Sequence, residues 1–164
     1  MANRIAVLET NKGTIKFELL EDQAPKTTEN FRLLADKNYY DGVIFHRVIP
    51  NFMIQGGDPL GAGYGGESAW GGKFDDEIDR GSMLYAGLYD KGTVAMANSG
   101  PNTNGSQFFI MHVDYPLPPS YSKFGKVIEG QEIVDIIANV PRNPSDKPLE
   151  PVVMERVFIE EAGE

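Results

Sequence analysis

Apolar and polar positions alternate from the start of the chain. Residues 4–9 and 14–20 read as two strands around Asn11-Lys12-Gly13, and in the second Ile15, Phe17 and Leu19 alternate with Lys16, Glu18 and Leu20. One face is buried and the other mostly wet, which predicts an opening hairpin. Pro25, with a φ suited to a first helical turn, precedes Thr27, Glu29 and Asn30 and then Phe31, Leu33, Leu34 and Ala35. That spacing predicts an amphipathic helix of about three turns, ending near Asp36-Lys37-Asn38. Tyr40-Asp41-Gly42 reads as a turn into strands at 44–49 and 52–56, interrupted at Pro50, which has no N–H to give a central ladder. Strand patterns return at 93–98, 106–111 and 123–128. Gln131 to Asn139, carrying Ile133, Val134, Ile136 and Ile137, predicts a second helix, and Val152 to Glu160 a last strand. The glycine-rich stretch 56–92 has no period and is too long for an ordinary connection. It reads as a structured surface excursion and as the most mobile part of the chain.

Two helices against about eight short strands predict a mainly β fold, a closed eight-stranded antiparallel barrel capped by the helices, because closure removes exposed sheet edges. No repeat, low-complexity tract or linker divides residues 1–164, so one domain is expected. Pro141-Arg142-Asn143-Pro144-Ser145-Asp146-Lys147-Pro148 reads as a stiff surface loop.

Composition narrows the chemistry. There is no cysteine, hence no disulfide, thiolate nucleophile or cysteine-ligated metal. His46 and His112 lie in unrelated segments with no carboxylate at ligand spacing, so no metal and no other cofactor is expected. Fifteen basic against twenty-four acidic residues give a net charge of -9. That sign is opposite to what nucleic-acid phosphates or an anionic membrane would attract, and neither is expected as a partner. Met1 to Glu9 has no apolar signal-like core and no later run reaches transmembrane length, so a cytoplasmic location is expected. Monomer is the default for a closed barrel.

Three motifs look chemical and fail on context. Gly61-Ala62-Gly63-Tyr64-Gly65-Gly66 fits the G-x-G-x-x-G pattern, but no strand precedes it and no helix follows to offer its N-terminal amides to a phosphate. Asp75-Asp76-Glu77-Ile78-Asp79 lacks the spacing of a calcium loop and reads as a solvated acidic turn. Asn104-Gly105-Ser106 fits a glycosylation acceptor but reads as a tight turn.

A more coherent constellation comes from strand alternation. Met53 and Gln55 share one face and Ile54 the other, and the Pro50-Asn51 kink is free to re-aim Phe52. Gln107, Phe109 and Met111 share a face opposite Phe108 and Ile110. The faces bearing the glutamines are the better candidates for the wet side, where Arg47 would stand over an apolar floor beside Met53, Gln55 and Phe109. From spacing alone an equal alternative stands, in which Arg47 pairs with an acid and the aromatics pack internally.

The segments Phe45-His46-Arg47-Val48-Ile49-Pro50, Gln55-Gly56-Gly57-Asp58, Asn98 to Ile110 and Phe124-Gly125-Lys126-Val127, with Asn30-Phe31 on the Pro25 helix and Tyr40-Asp41-Gly42, closely resemble the signature stretches of the cyclophilins. The likeness extends through the chain. It implies the eight-stranded barrel with two helices, and cis/trans isomerisation of X-Pro peptide bonds in unfolded or flexible chains, assisting folding. It further implies a catalytic group of Arg47 with Gln55 and Phe109. Substrate would bind at Phe52, Met53 and Leu117 in a proline pocket shared with Phe109, with Asn98 and Gln107 as supporting polar residues and Ala97 lining a neighbouring groove. Proline-containing peptides and unfolded proteins are the implied partners. The alternative is a catalytically weak proline-peptide-binding or chaperone module using the same face. A scaffold role through residues 61–79, with Tyr64 and Trp70, rests on exposed aromatics alone.

One segment departs from the family. Well-known members read Trp-Leu-Asp-Gly-x-His before the Phe-Gly pair, whereas this chain has Pro116-Leu117-Pro118-Pro119-Ser120-Tyr121. The leucine is kept and the tryptophan and histidine are lost. Tyr121 still offers a flat ring to wall the pocket, without the near-neutral titration of histidine. Loss of the tryptophan implies weak cyclosporin binding.

Overall fold

The computed structural model describes residues 3–161. The opening hairpin is β1 (Ile5–Thr10) and β2 (Gly13–Leu19), with Ile15, Phe17 and Leu19 fully buried as their alternation predicts. Helix α1 (Pro25–Asp36) follows, then β3 (Val43–Ile44), β4 (Arg47–Ile49) and β5 (Met53–Gly56). After the glycine-rich excursion come β6 (Thr93–Met96), β7 (Phe108–Met111), β8 (Lys123–Glu129), α2 (Gln131–Ala138) and β9 (Val153–Glu160). The fold is mainly β, as expected.

All the strand pairs are antiparallel, in one curled nine-stranded sheet ordered β3-β9-β1-β2-β8-β6-β7-β5-β4. Nine strands rather than eight arise because the segment expected at 44–49 is split at Phe45-His46. Its first arm pairs with β9 and its second with β5, so the two end strands of the sheet are consecutive in the chain. Phe45 turns into the core at this break and its N–H still bonds Val152 C=O at 2.9 Å.

Inside the curl, Phe31 of α1 meets Phe17 edge-on at 5.4 Å between ring centroids, Phe108 at 5.5 Å, and stacks on Tyr40 at 4.9 Å. Such pairs add to what area burial alone supplies. Helix α1 packs against β8 and β9, and α2 against β2, β4 and β5. No side chain of α1 caps its own N-terminus. The Glu77 carboxylate does so from the excursion, accepting from Lys26 N–H at 3.1 Å and Thr27 N–H at 2.5 Å. An anion there suits the free N–H groups and the positive end of the helix dipole.

The excursion is therefore built in. Asp76 and Asn104 extend its anchoring: Asn104 Nδ2 donates to Asp76 Oδ1 at 2.8 Å and to Phe74 C=O at 3.1 Å. Within the acidic run Asp76 and Glu77 are structural acceptors, while Asp75 and Asp79 are exposed as a solvated turn requires; Asn104 is buried in a bridge with Phe74 rather than in a tight turn. The G-x-G-x-x-G segment does cradle an anion, an internal one. The Asp58 carboxylate accepts N–H bonds from Leu60, Ala62, Gly63 and Gly65 at 2.7–3.1 Å. A Cβ at Gly65 would lie 2.3 Å from Asp58 Oδ1, so this wrap requires glycine there. Burial alone would raise the Asp58 pKa; the four backbone bonds together outweigh it and leave the carboxyl below its ordinary value.

Candidate active site

The register of the sheet assembles the site. Arg47 pairs with Gln55, Gln55 with Phe109, Phe109 with Ala95, and Ala95 with Lys123, one row crossing β4, β5, β7, β6 and β8. Directly opposed residues on neighbouring strands point to the same side of a sheet. Val48, Ile54, Ile110 and Val94 point the other way, into the core. The side expected to be wet instead carries a second apolar cluster of Met53, Tyr89, Ala95, Phe109 and Met111, with Phe52, Leu117 and Tyr121 packed on it. Met53 is 2% and Phe109 5% exposed, so the floor beside Arg47 is nearly dry.

A cleft of about 170 Å3 opens on this floor, lined by Arg47, Phe52, Met53, Gln55, Ala97, Asn98, Phe109, Leu117 and Tyr121. These are residues that the sequence resemblance groups together; the remaining one, Gln107, lies beside them in an adjoining cleft of about 190 Å3 that shares Gln55, Ala97 and Asn98. A polar relay links the two. Arg47 donates to Gln55 Oε1 at 3.3 Å, Gln55 Nε2 donates to Gln107 Oε1 at 3.1 Å, and Gln107 Nε2 donates to Gly65 C=O at 3.0 Å. Each amide uses its oxygen toward the arginine side and its N–H toward the excursion, which fixes its orientation. Among the described residues, Arg47 pairs with no carboxylate, and its guanidinium is exposed. The ion-pair alternative for Arg47 is set aside.

Phe52 owes its direction to the turn before it. Asn51 has φ 63°, the left-handed region that asparagine tolerates. Its N–H donates to His112 Nδ1 at 2.9 Å, while His112 Nε2 lies 2.9 Å from Asp135 Oδ1. The sequence offered no carboxylate partner for this histidine; helix α2 brings one. Phe52 then lies against Tyr115, with ring centroids 4.4 Å apart.

The divergent 115–121 segment is held from behind by Tyr89, a residue the sequence reading passed over. Tyr89 exchanges both backbone bonds with Tyr115 at 3.0 Å. Its hydroxyl donates to Tyr121 C=O at 2.6 Å and accepts from Tyr121 N–H at 3.3 Å. The Tyr121 ring meets Phe109 edge-on at 5.4 Å and so stands as a pocket wall. Asn98 Nδ2 also ties this segment, donating to Ser120 C=O at 2.9 Å.

Beneath lies Lys123, 3% exposed. Its ammonium donates to Leu84 C=O at 2.6 Å and Leu88 C=O at 3.2 Å and sits over the rings of Tyr89 at 4.4 Å and Tyr85 at 5.2 Å. Carbonyls and ring faces replace its water. Burial lowers the Lys123 pKa, with Asp90 opposing, and raises that of the Tyr85 hydroxyl to about 12. Tyr85 and Tyr89 lie in the aperiodic excursion, and Lys123, at the start of β8, packs against it.

Known proteins share this chain's sequence and fold. The family model described as cyclophilin type peptidyl-prolyl cis-trans isomerase matches residues 5–159. An Arabidopsis thaliana protein named peptidyl-prolyl cis-trans isomerase CYP18-1 is 52% identical over 153 residues, covering 93% of each chain. The crystal structure of a Cryptosporidium parvum cyclophilin type peptidyl-prolyl cis-trans isomerase superposes with a TM-score of 0.87 at 41% identity, covering 98% of this chain and 99% of that one. A second structure of the parasite protein, in the presence of the dipeptide Ala-Pro, gives 0.86 at 42% identity over 96% and 99% of the two chains. With its curled sheet, its two helices and these relatives over nearly its whole length, the chain belongs to the cyclophilin-type peptidyl-prolyl cis-trans isomerases.

Proposed function

We propose that the reaction is driven by Arg47 acting over the Met53–Phe109 floor, on proline-containing segments of flexible or unfolded chains. The observation that carries this reading is a guanidinium free of any acidic partner among the described residues, held by Gln55 at the rim of an apolar cleft. Amide resonance sets a rotation barrier of about 18–20 kcal/mol. In the twisted transition state the prolyl nitrogen becomes pyramidal and gains a lone pair, which Arg47 can meet with an N–H. No nucleophile, base or metal is needed for that step. A charge-assisted hydrogen bond contributes roughly 1.5–3 kcal/mol, while an illustrative 10⁵-fold acceleration needs about 7. The remainder falls to Phe52, Met53, Phe109 and Leu117, which hold the ring and exclude water.

Gln55 is the positioning residue for the guanidinium. Among the described residues the N–H and C=O of Asn98, just past β6, bond no other group, which suits them to hold the residue before proline in strand fashion. Folding assistance belongs to this proposal because uncatalysed X-Pro rotation takes tens to hundreds of seconds and can limit folding.

The test compares the intact protein with Arg47→Ala and Arg47→Lys on a short X-Pro peptide by exchange spectroscopy. We expect kcat/KM to fall more than about tenfold in both variants, a loss of at least about 1.4 kcal/mol of transition-state stabilisation. Peptide binding by the intact protein without catalysis would replace this reading with a proline-recognition or holding module.

A further inference from the structure

A third cleft, of about 280 Å3, opens on the rim of the site and shares Arg47 and Gln55 with the proline cleft. The ionisable side chains that line it are His46, Arg47 and Lys147, and none is acidic. In a chain of net charge -9 this is a local reversal of sign. The nearby acids are already engaged. Asp58 is wrapped by four backbone N–H groups, and Asp146 lies 3.5 Å from Arg142.

Lys147 is also held in place. Asn143 Oδ1 accepts from Ser145 N–H at 2.8 Å and Lys147 N–H at 3.1 Å, fixing the turn that carries it. The loop is tied to the strand of Arg47 by Val48 N–H donating to Asp146 C=O at 2.8 Å. Lys147 Nζ donates to Gly61 C=O at 3.1 Å across the cleft, which leaves two of its three N–H donors for another acceptor. Among the described residues no carboxylate pairs with it. His46 forms the cleft's inner wall with a buried Nδ1 that has no partner among the described residues. Burial, opposed by Asp58 and reinforced by Arg47 and Lys147, keeps that imidazole neutral near pH 7, so the cleft's charge rests on Arg47 and Lys147.

We propose that this cleft is a subsite for a carboxylate side chain of the substrate, close in sequence to the isomerised proline, and that Lys147 sets the preference for it. The inference rests on the isomerase reading above and adds a substrate class to it. A peptide whose proline lies in the apolar cleft passes Arg47 and Gln55, which border both clefts, and its neighbouring side chain reaches the cationic one. Lys147 takes no part in the rotation step.

The experiment uses end-blocked peptides in which Glu or Gln occupies, in turn, each of the two positions on either side of the proline. Intact protein, Lys147→Met and Lys147→Glu are compared by exchange spectroscopy at low and high salt. We expect Glu to exceed Gln in kcat/KM by about three- to fivefold at one position, the range of a partly exposed charge pair. Salt shrinks that ratio, Lys147→Met abolishes it and Lys147→Glu reverses it, while the Gln peptides react alike in the intact protein and Lys147→Met. Equal turnover of Glu and Gln peptides at every position, or a preference that survives Lys147→Glu, overturns the subsite and leaves the isomerase reading standing. Failure of the intact protein to turn over any peptide overturns both.

Discussion

Tyr89→Phe isolates a single hydroxyl behind the proline pocket. The ring stays, and with it the face that Lys123 occupies at 4.4 Å, as do the backbone bonds to Tyr115. What is lost is the pair of bonds to Tyr121 C=O at 2.6 Å and Tyr121 N–H at 3.3 Å. Each such bond has a net worth of about 0.5–1.5 kcal/mol, and leaving its partner dry costs toward the upper end, so the change costs about 2 kcal/mol. For a domain of this size that lowers Tm by about 4–8 °C. If half or more of the loss is local to the 115–121 segment, the Tyr121 wall is formed less of the time and KM rises roughly three- to tenfold. Arg47 and Gln55 lie on other strands, so kcat should hold within about twofold. Thermal melting and a saturation series with an X-Pro peptide read both effects. A lowered Tm with unchanged KM would show that Tyr89 supports the fold and not the pocket, and an unchanged Tm would refute the energetic argument itself.

Two further outcomes follow from the Asp58 wrap and from His46. Asp58→Asn replaces an acceptor-only group with one that turns an NH2 toward backbone donors, and it should destabilise the protein by about 2–4 kcal/mol, measured by urea unfolding. Stability should also fall on acidification in two stages. His46 has a folded pKa below its unfolded value, so the unfolded chain takes up the proton first and stability declines as pH drops below about 6.5. Asp58 has a lowered folded pKa, so its contribution, complete above about 3.8, is lost as pH falls through the folded value. His46→Gln should flatten the upper stage and leave the lower one; a profile unchanged by this variant would refute the assignment.

Local pattern carried the hairpin, both helices and most strands, because burial of one face imposes a period of two on a strand and 3.6 on a helix. The run Ile15, Phe17, Leu19 and the helix stripe Phe31, Leu34, Ala35 are buried as that period requires. The same period set Met53 and Gln55, and Gln107 and Phe109, on faces opposite Ile54 and Phe108. It could not say that the first of those faces is covered. Tyr85, Tyr89 and Leu117, which cover it, come from segments with no period. The Pro50-Asn51 kink was legible; the His112 that holds Asn51 was not, since Asp135 reaches that histidine only when α2 folds against the sheet.

By itself, then, the sequence determined which residues face which way along each element, and its long contiguous motifs identified the family. Tertiary structure alone decided what crosses between elements. It set the register that lines up Arg47, Gln55, Phe109, Ala95 and Lys123, the Glu77 cap on α1, the closed wrap around Asp58, and the cationic cleft between Gly61 and Lys147. Periodicity records only how a residue relates to its own strand or helix. A contact made across 50 or 86 residues of chain, as Glu77 makes with Thr27 and Lys147 with Gly61, depends on where two distant segments meet, and no local period encodes that.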